Sequence, residues 1–306
     1  MSKQLVWLIT GASTGLGLAL TERLLARGDR VVATARKSSL SRFEPLLSRP
    51  ETDRTRIVIL ELDITSPLVV LQDVVKQAVD HWGRIDVLVN NAGIGGGVGP
   101  SEELRLRVHT SLRVDLMLRV MTTNYAGTIS ITNAVLPHMR SRRAGTVLLV
   151  GSRTGYRNEF LGPSAYAASK AAVHSYGETL SAELAPFNIR VCVVVPGAFD
   201  TGLTLPVVGT PIPDYDEARE ELRKRVEGRK RLPNQGDPVK GMNVLIDVVR
   251  GEGKAEGKGG LPLWLFLGSD CLADVKARAD KLKRVAEEWA DVGSGLGKDD
   301  TAQLGA

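Results

Sequence analysis

Cysteine is scarce in this 306-residue chain. The only two, Cys192 and Cys271, are too few for a disulfide framework or a thiolate metal cluster. Cys192 falls inside the apolar run 191–195, where a buried free thiol is expected. Four histidines, His81, His109, His138 and His174, show no His-x-x-x-His or similar ligand spacing, so no metal site is expected. Aromatics make up 5% of the residues, and none is interleaved with the basic clusters at 140–143 and 229–231. Despite a net charge of +5, those clusters read as solvated helix ends, and a nucleic-acid partner is not expected. No apolar run approaches the length of a membrane span. The N-terminus enters a strand-like segment at residues 5–10 without a basic region, an apolar stretch or a small-residue cleavage site, which makes the cytoplasm the expected location.

What is present is ordinary globular material: 43% apolar and 25% charged residues. Short apolar runs rich in β-branched residues occupy 5–10, 30–35, 56–60, 85–90, 146–151 and 189–195, with a seventh at 263–267. They are continuous rather than alternating, as strands covered on both faces must be. Helical stretches at 16–27, 67–82, 112–140 and 164–185 separate them. Repeated β-α-β units imply an α/β fold, a seven-stranded parallel sheet doubly wound by helices. No linker divides the chain, so residues 1–290 are expected to form one domain. An insertion at about 202–238 contains a charged, exposed helix over 214–231. The tail 291–306, rich in Gly, Asp and Ser, is expected to be flexible.

The first strand runs into Thr10-Gly11-Ala12-Ser13-Thr14-Gly15-Leu16-Gly17, within which a helix opens. Glycines permit a tight turn and close backbone approach, and the amides at a helix N-terminus bind a pyrophosphate. Its position between the first strand and the first helix makes this a dinucleotide site in a Rossmann-type fold, with Gly11, Ser13, Thr14, Gly15, Leu16 and Gly17 against the phosphates. The glycine-rich segment 93–99 opens no helix and reads as a flexible loop near the cofactor. At the end of the second strand, Arg36, Lys37 and Ser38 stand where an NAD-preferring site carries an acid for the ribose hydroxyls. Cations suit a 2′-phosphate, so NADP(H) is favoured; a solvated Arg36 and dual cofactor use is the alternative.

Thr10-Gly11-x-x-x-Gly15-x-Gly17, Asn90-Asn91-Ala92-Gly93, Ser152, Tyr166-x-x-x-Lys170 and Pro196-Gly197 followed by Thr201 together resemble the classical short-chain dehydrogenases/reductases over residues 4–202. The chemistry also follows from the residues. Tyr166 and Lys170, four apart on a helix, share one face. A phenol is a weak base near neutrality, and a neighbouring ammonium favours its phenolate. Tyr166 is therefore the candidate general acid/base, Lys170 its electrostatic partner, and Ser152, at the end of the fifth strand, the residue that holds the substrate oxygen.

The resemblance implies further roles. A residue like Asn124 supports a water connected to the lysine. Asp63, with Ile64, lies near the adenine. Asn90, Asn91, Ala92 and Gly93 line the crevice, although Asn90 or Asn91 could instead only brace the fourth strand. Pro196, Gly197, Phe199 and Thr201 approach the carboxamide, Phe199 through its backbone and Thr201 through its hydroxyl. The strand at 263–267 and the helix at 270–289 resemble those of a C-terminally extended subgroup, which favours a homodimer over a tetramer.

The substrate expected is a small carbonyl compound or alcohol, in a pocket closed by residues 93–100 and the insertion. The insertion's Leu203, Leu205, Val207, Val208 and Ile212 would either contact an apolar substrate or pack as lid core. A non-catalytic NADP-binding regulatory protein on the same fold is the competing class; Tyr166 and Lys170, both present, argue against it.

Overall fold

The apolar runs pair into one parallel sheet. A computed structural model of the chain describes residues 4–104, 116–157, 161–202, 205–229 and 235–297. The strands β1 (Val6–Ile9), β2 (Arg30–Ala35), β3 (Ile57–Glu61), β4 (Val87–Asn90), β5 (Gly145–Val150), β6 (Ile189–Pro196) and β7 (Trp264–Leu267) lie in the order β3-β2-β1-β4-β5-β6-β7, and every neighbouring pair is parallel. All seven expected strands form, with ends displaced by at most two residues. The strand order reverses between β1 and β4, and the crevice beyond their C-terminal ends is where such sheets bind ligands.

Successive side chains of each strand point to opposite faces, and both faces are buried. On one face Trp7, Ile9, Val31 and Val89 pack with Leu20 and Leu24 of α1 (Gly15–Ala26) and Leu245 and Ile246 of α8 (Pro238–Arg250). On the other, Leu8, Val32, Leu88 and Leu149 pack with Leu71 and Val75 of α3 (Leu68–Trp82), Ile131 and Val135 of α5 (Gly127–Arg142), and Val173 and Leu180 of α6 (Ser164–Leu184). A short α2 (Glu44–Leu47) follows β2, and the insertion carries α7 (Asp216–Arg229). The chain continues past β7 into α9 (Ser269–Glu288) and α10 (Ala290–Gly293).

Two expectations need correction. The unbroken helix read over 112–140 is interrupted: α4 (Leu116–Met121) is followed by a π-helical turn over Thr122–Ala126 before α5 begins, and residues 112–115 lie outside the described part. Nor is the basic cluster at 140–143 simply solvated. Arg142 donates to the Ile85 carbonyl (2.9 Å) and to the Asp86 carboxylate (2.8 Å), and Arg143 donates to the Pro186 carbonyl. Asp86 also receives the Val6 amide and Arg84. Burial alone would raise this carboxyl, but the bonds from Val6, Arg84 and Arg142 hold it below its ordinary value. These bonds secure the sheet at the end away from the crevice. The second basic cluster lies mostly outside the described residues.

Candidate active site

The phosphate turn is held by side chains of the neighbouring strand. Thr10 Oγ1 accepts from the amides of Asn91 and Ala92 (both 3.0 Å), and Asn91 Nδ2 donates to the carbonyls of Thr10 and Gly11 (both 3.0 Å). The Ala12 amide donates to the Thr34 carbonyl, joining the turn to β2. Gly11 has φ +64°, and a Cβ there would lie 2.9 Å from the Ala92 Cα. At Gly17 a Cβ would meet the Gly11 carbonyl at 2.5 Å. Both glycines are thus demanded by backbone close to backbone. The N-cap of α1, Thr14, makes no side-chain capping bond, so the first-turn amides of Gly15, Leu16 and Gly17 are not engaged by it. Nearly buried Ser13 completes the turn. This bare helix start beside a close-packed glycine backbone fits a pyrophosphate.

The other predicted cofactor residues are distributed around the crevice. Arg36 is exposed directly after β2, with Lys37 and Ser38 exposed beside it. Asp63 follows β3 and spends one carboxylate oxygen on its own turn, accepting from the Thr65 amide (2.9 Å) and hydroxyl (2.7 Å). Ile64 is buried against Gly127. The side chains of the two asparagines at the end of β4 are engaged within the protein. Asn90 Nδ2 donates to Thr132 Oγ1 on α5, and Asn91 holds the glycine turn. Gly197 is locked by Asp270, whose carboxylate receives the Ala198 amide (2.8 Å) and lies where a Gly197 Cβ would be. The Phe199 ring packs against Gly236 and Gly241, and its carbonyl accepts from the Thr201 amide. Thr201 lies beside Gly15, its Cβ 3.4 Å from the position of a Gly15 Cβ, so the Pro196–Thr201 segment meets the phosphate turn across the crevice.

The catalytic candidates converge at the ends of β4 and β5. Tyr166 and Lys170 lie one turn apart on α6, with Lys170 Nζ 5.7 Å from the Tyr166 ring centroid. Lys170 is buried and donates to the Val150 carbonyl at the end of β5 (2.7 Å). Desolvation pushes its ammonium down to about 8, which still leaves it mostly charged at neutral pH. Ser152 is nearly buried, and its Oγ accepts from the amide (3.2 Å) and hydroxyl (2.9 Å) of Thr154. Asn124 sits in the π-helical turn. Its Oδ1 accepts from the Ile94 amide (2.8 Å), and its Nδ2 donates to the Ile94 carbonyl (2.9 Å) and to Ser169 Oγ (3.0 Å). The side chain therefore clamps the loop after β4 to α6. A Cβ at Gly93 would lie 3.1 Å from Asn124 Oδ1 and 3.6 Å from Lys170 Nζ, so a glycine there admits both.

Sequence reasoning missed His174. One turn beyond Lys170, it is buried and accepts the Ser152 amide on Nε2 (3.2 Å). Its ring stacks on Tyr156 (5.1 Å between centroids) and meets Trp264 edge-on (5.3 Å). Gly151 and Gly155 make room for it; a Cβ on either would stand 2.2 or 2.6 Å from the ring. Desolvation, reinforced by Lys170, pushes His174 down to about 4, so it is neutral and able to accept. The signal was available: 166, 170 and 174 fall at i, i+4 and i+8 of one helix. Arg153 was also missed. It joins the catalytic loop to α9 through Asp270 (3.1 Å) and Asp274 (3.0 Å).

The insertion is packed rather than loose. Loop 93–99 is not the free glycine loop expected from its composition: its glycines form a floor for the insertion. A Cβ at Gly95 would overlap Leu205 at 2.1 Å, and one at Gly97 would meet Val208 at 2.6 Å. Val98 and Val207 form a parallel bridge. Glu103 and Arg219, both buried, form an ion pair (2.9 Å), and Glu103 also accepts the Ile212 amide (2.9 Å). Leu205 and Val208 thus serve as lid core; Leu203 lies outside the described residues. Among the described residues there is no cluster of three metal-ligating side chains and no helix long and apolar enough to cross a membrane.

Comparison with known proteins agrees with this fold. The short chain dehydrogenase family model matches residues 5–209, and the chain belongs to that family of nicotinamide-dependent oxidoreductases. A 3-ketodihydrosphingosine reductase of Bacteroides thetaiotaomicron is 37% identical over 205 residues, 67% of each chain. A short-chain dehydrogenase structure from Streptomyces avermitilis aligns with TM-score 0.79 and 32% identity, covering 96% of this chain and 99% of that one. A Burkholderia cenocepacia short chain dehydrogenase in complex with NADP aligns with TM-score 0.65 and 25% identity, covering 94% and 98%.

Proposed function

We propose that this oxidoreductase interconverts a ketone or aldehyde and an alcohol with NADP(H), using Tyr166 as general acid/base. The observation that carries this reading is the convergence of α6 on the end of β5. Lys170 is held at the Val150 carbonyl, and the Ser152 amide is held by His174 from the same helix that carries Tyr166. In the reducing direction the Tyr166 hydroxyl gives its proton to the substrate oxygen, and in the oxidising direction the phenolate removes it. The buried Lys170 ammonium favours the phenolate. The Ser152 hydroxyl orients the same oxygen and stabilises developing alkoxide. When bound, the nicotinamide supplies or accepts the hydride; Gly11, Ser13 and residues 15–17 would hold its pyrophosphate, and residues 196–201 its nicotinamide end.

NADP(H) is supported by exposed Arg36 and Lys37 with no acid beside them, and by the NADP complex of the Burkholderia cenocepacia relative. An apolar carbonyl substrate is supported by the 3-ketodihydrosphingosine reductase among the relatives. We take residues 1–290 as one catalytic domain with its lid at about 202–238, residues 291–306 as a flexible tail, the cytoplasm as its location and a homodimer as its assembly. The test is a panel of ketones and alcohols followed by NADPH absorbance, with Tyr166→Phe alongside. The variant should lose turnover by at least about a hundredfold while NADPH still binds by fluorescence titration. A variant as active as the parent would overturn the mechanism.

A further inference from the structure

The C-terminal helix extends beyond the other described residues. α9 starts against the sheet, where Cys271 is buried with its Sγ 3.2 Å from the Val195 carbonyl and Val275 packs on the core. It then leaves the surface. Every residue from 281 to 297 is exposed, including Leu282, Val285, Trp289 and Val292, the last two at 59% and 64%. Trp289 closes α9, donating to the Val285 carbonyl, and Gly293 of α10 donates to that of Trp289. A lone helix of this length is marginal in water, and apolar side chains in a row on it mark a contact surface.

The row is regular. Cys271, Val275, Arg278, Leu282, Val285 and Trp289 follow one another at alternating steps of four and three, the seam of a coiled coil. The first two positions are covered by the protein's own body, and the same seam then runs on into solvent. We propose that this seam pairs antiparallel with α9 of a second copy of the chain. The inference rests on the homodimer proposed above and assigns its interface.

The flanking residues select that partner and direction. Antiparallel pairing sets Leu282 opposite the partner's Val285 and Arg278 opposite the partner's Trp289. On one flank Lys281 then meets the partner's Glu288, and Glu288 meets the partner's Lys281, so two ion pairs form by symmetry. On the other flank stand Ala279 and Ala286, small enough for close approach. Arg278 gains an aromatic face, a favourable site for a guanidinium. Parallel pairing would set Lys281 against Ala286 and forgo both ion pairs. The ends agree as well. α9 closes at Trp289, opposite the partner's Arg278, so the partner's helix ends short of Val275, where α9 meets the body. In this pairing the two bodies attach at opposite ends of the helix pair.

The experiment is sedimentation velocity on the full chain across micromolar concentrations. The parent protein should dimerise. Lys281→Glu and Glu288→Lys should each weaken the dimer roughly tenfold, because two attractions become two repulsions. The double variant Lys281→Glu/Glu288→Lys should restore it, and Leu282→Ser with Trp289→Ser should give monomer. All these residues are exposed, and circular dichroism verifies that each variant folds. A parent that stays monomeric, including one that floats with anionic vesicles instead, overturns the proposal. A dimer indifferent to the charge reversals, or one the double swap fails to restore, overturns this interface while leaving the homodimer standing. Turnover of the enzyme enters none of these readouts.

Discussion

Replacing His174 with glutamine should flatten the acid limb of the stability profile. His174 is 6% exposed, and burial together with the nearby Lys170 pushes it from an ordinary 6.5 down to about 4. In the unfolded chain it titrates near 6.5. Between those values the unfolded state binds a proton that the folded state refuses, so stability rises with pH through this window. The benefit of the neutral imidazole is complete above about pH 6.5 and is lost as pH falls toward 4. At about 1.4 kcal/mol per pH unit the total is about 3 kcal/mol. Glutamine offers the Ser152 amide an acceptor oxygen but takes up no proton. Urea unfolding of both proteins from pH 7.5 downward is the assay. The variant should lie within about 1 kcal/mol of the parent at pH 7.5 and gain on it steadily below pH 6.5. Parallel profiles would refute the reasoning, because they would mean that His174 takes up its proton equally in the folded protein. Leucine at the same place separates support from packing. It leaves the buried Ser152 amide without an acceptor, a loss of about 1–3 kcal/mol, and should lower kcat in a way that glutamine largely rescues.

Two further substitutions probe the cofactor site. Arg36→Asp should move the ratio of kcat/KM values toward NAD(H) by at least about tenfold, since a carboxylate repels a 2′-phosphate and accepts from ribose hydroxyls; an unchanged ratio would show that Arg36 is merely solvated. Gly17→Ala drives a methyl group to within 2.5 Å of the Gly11 carbonyl. It should destabilise the protein by about 1–3 kcal/mol and weaken NADPH binding measured by calorimetry, whereas an alanine variant with parental affinity would show that the turn can yield.

The sheet was legible because strands covered on both faces must be apolar throughout, and each run stands between turn residues. The glycine turn was legible for a similar reason: its requirements are local, and Gly11, Gly15 and Gly17 meet them within eight residues. What escaped depends on distant partners. The π-helical turn at residues 122–126 is tied to bonds that Asn124 makes with Ile94 and Ser169, which no helical periodicity announces. The glycines at 95 and 97 read as freedom in the sequence, yet their purpose is to accept Leu205 and Val208, more than a hundred residues later. His174 looked like one more helix residue, because its partners Ser152, Tyr156 and Trp264 belong to three other segments.

That glycine floor has a consequence for how the molecule can change. Leu205 and Val208 rest on bare backbone, so the seat of the lid is set by main-chain shape and offers no side chain for a new residue to match. The residues proposed to react are fastened elsewhere, Lys170 by Val150 and Ser152 by His174. The two parts of the pocket are therefore separable: exchanging side chains on the crevice side of residues 205–222 alters what fits, while the proton-transfer centre keeps its alignment. A bulky residue at 95 or 97 does the reverse, wedging the lid away from a centre that remains intact.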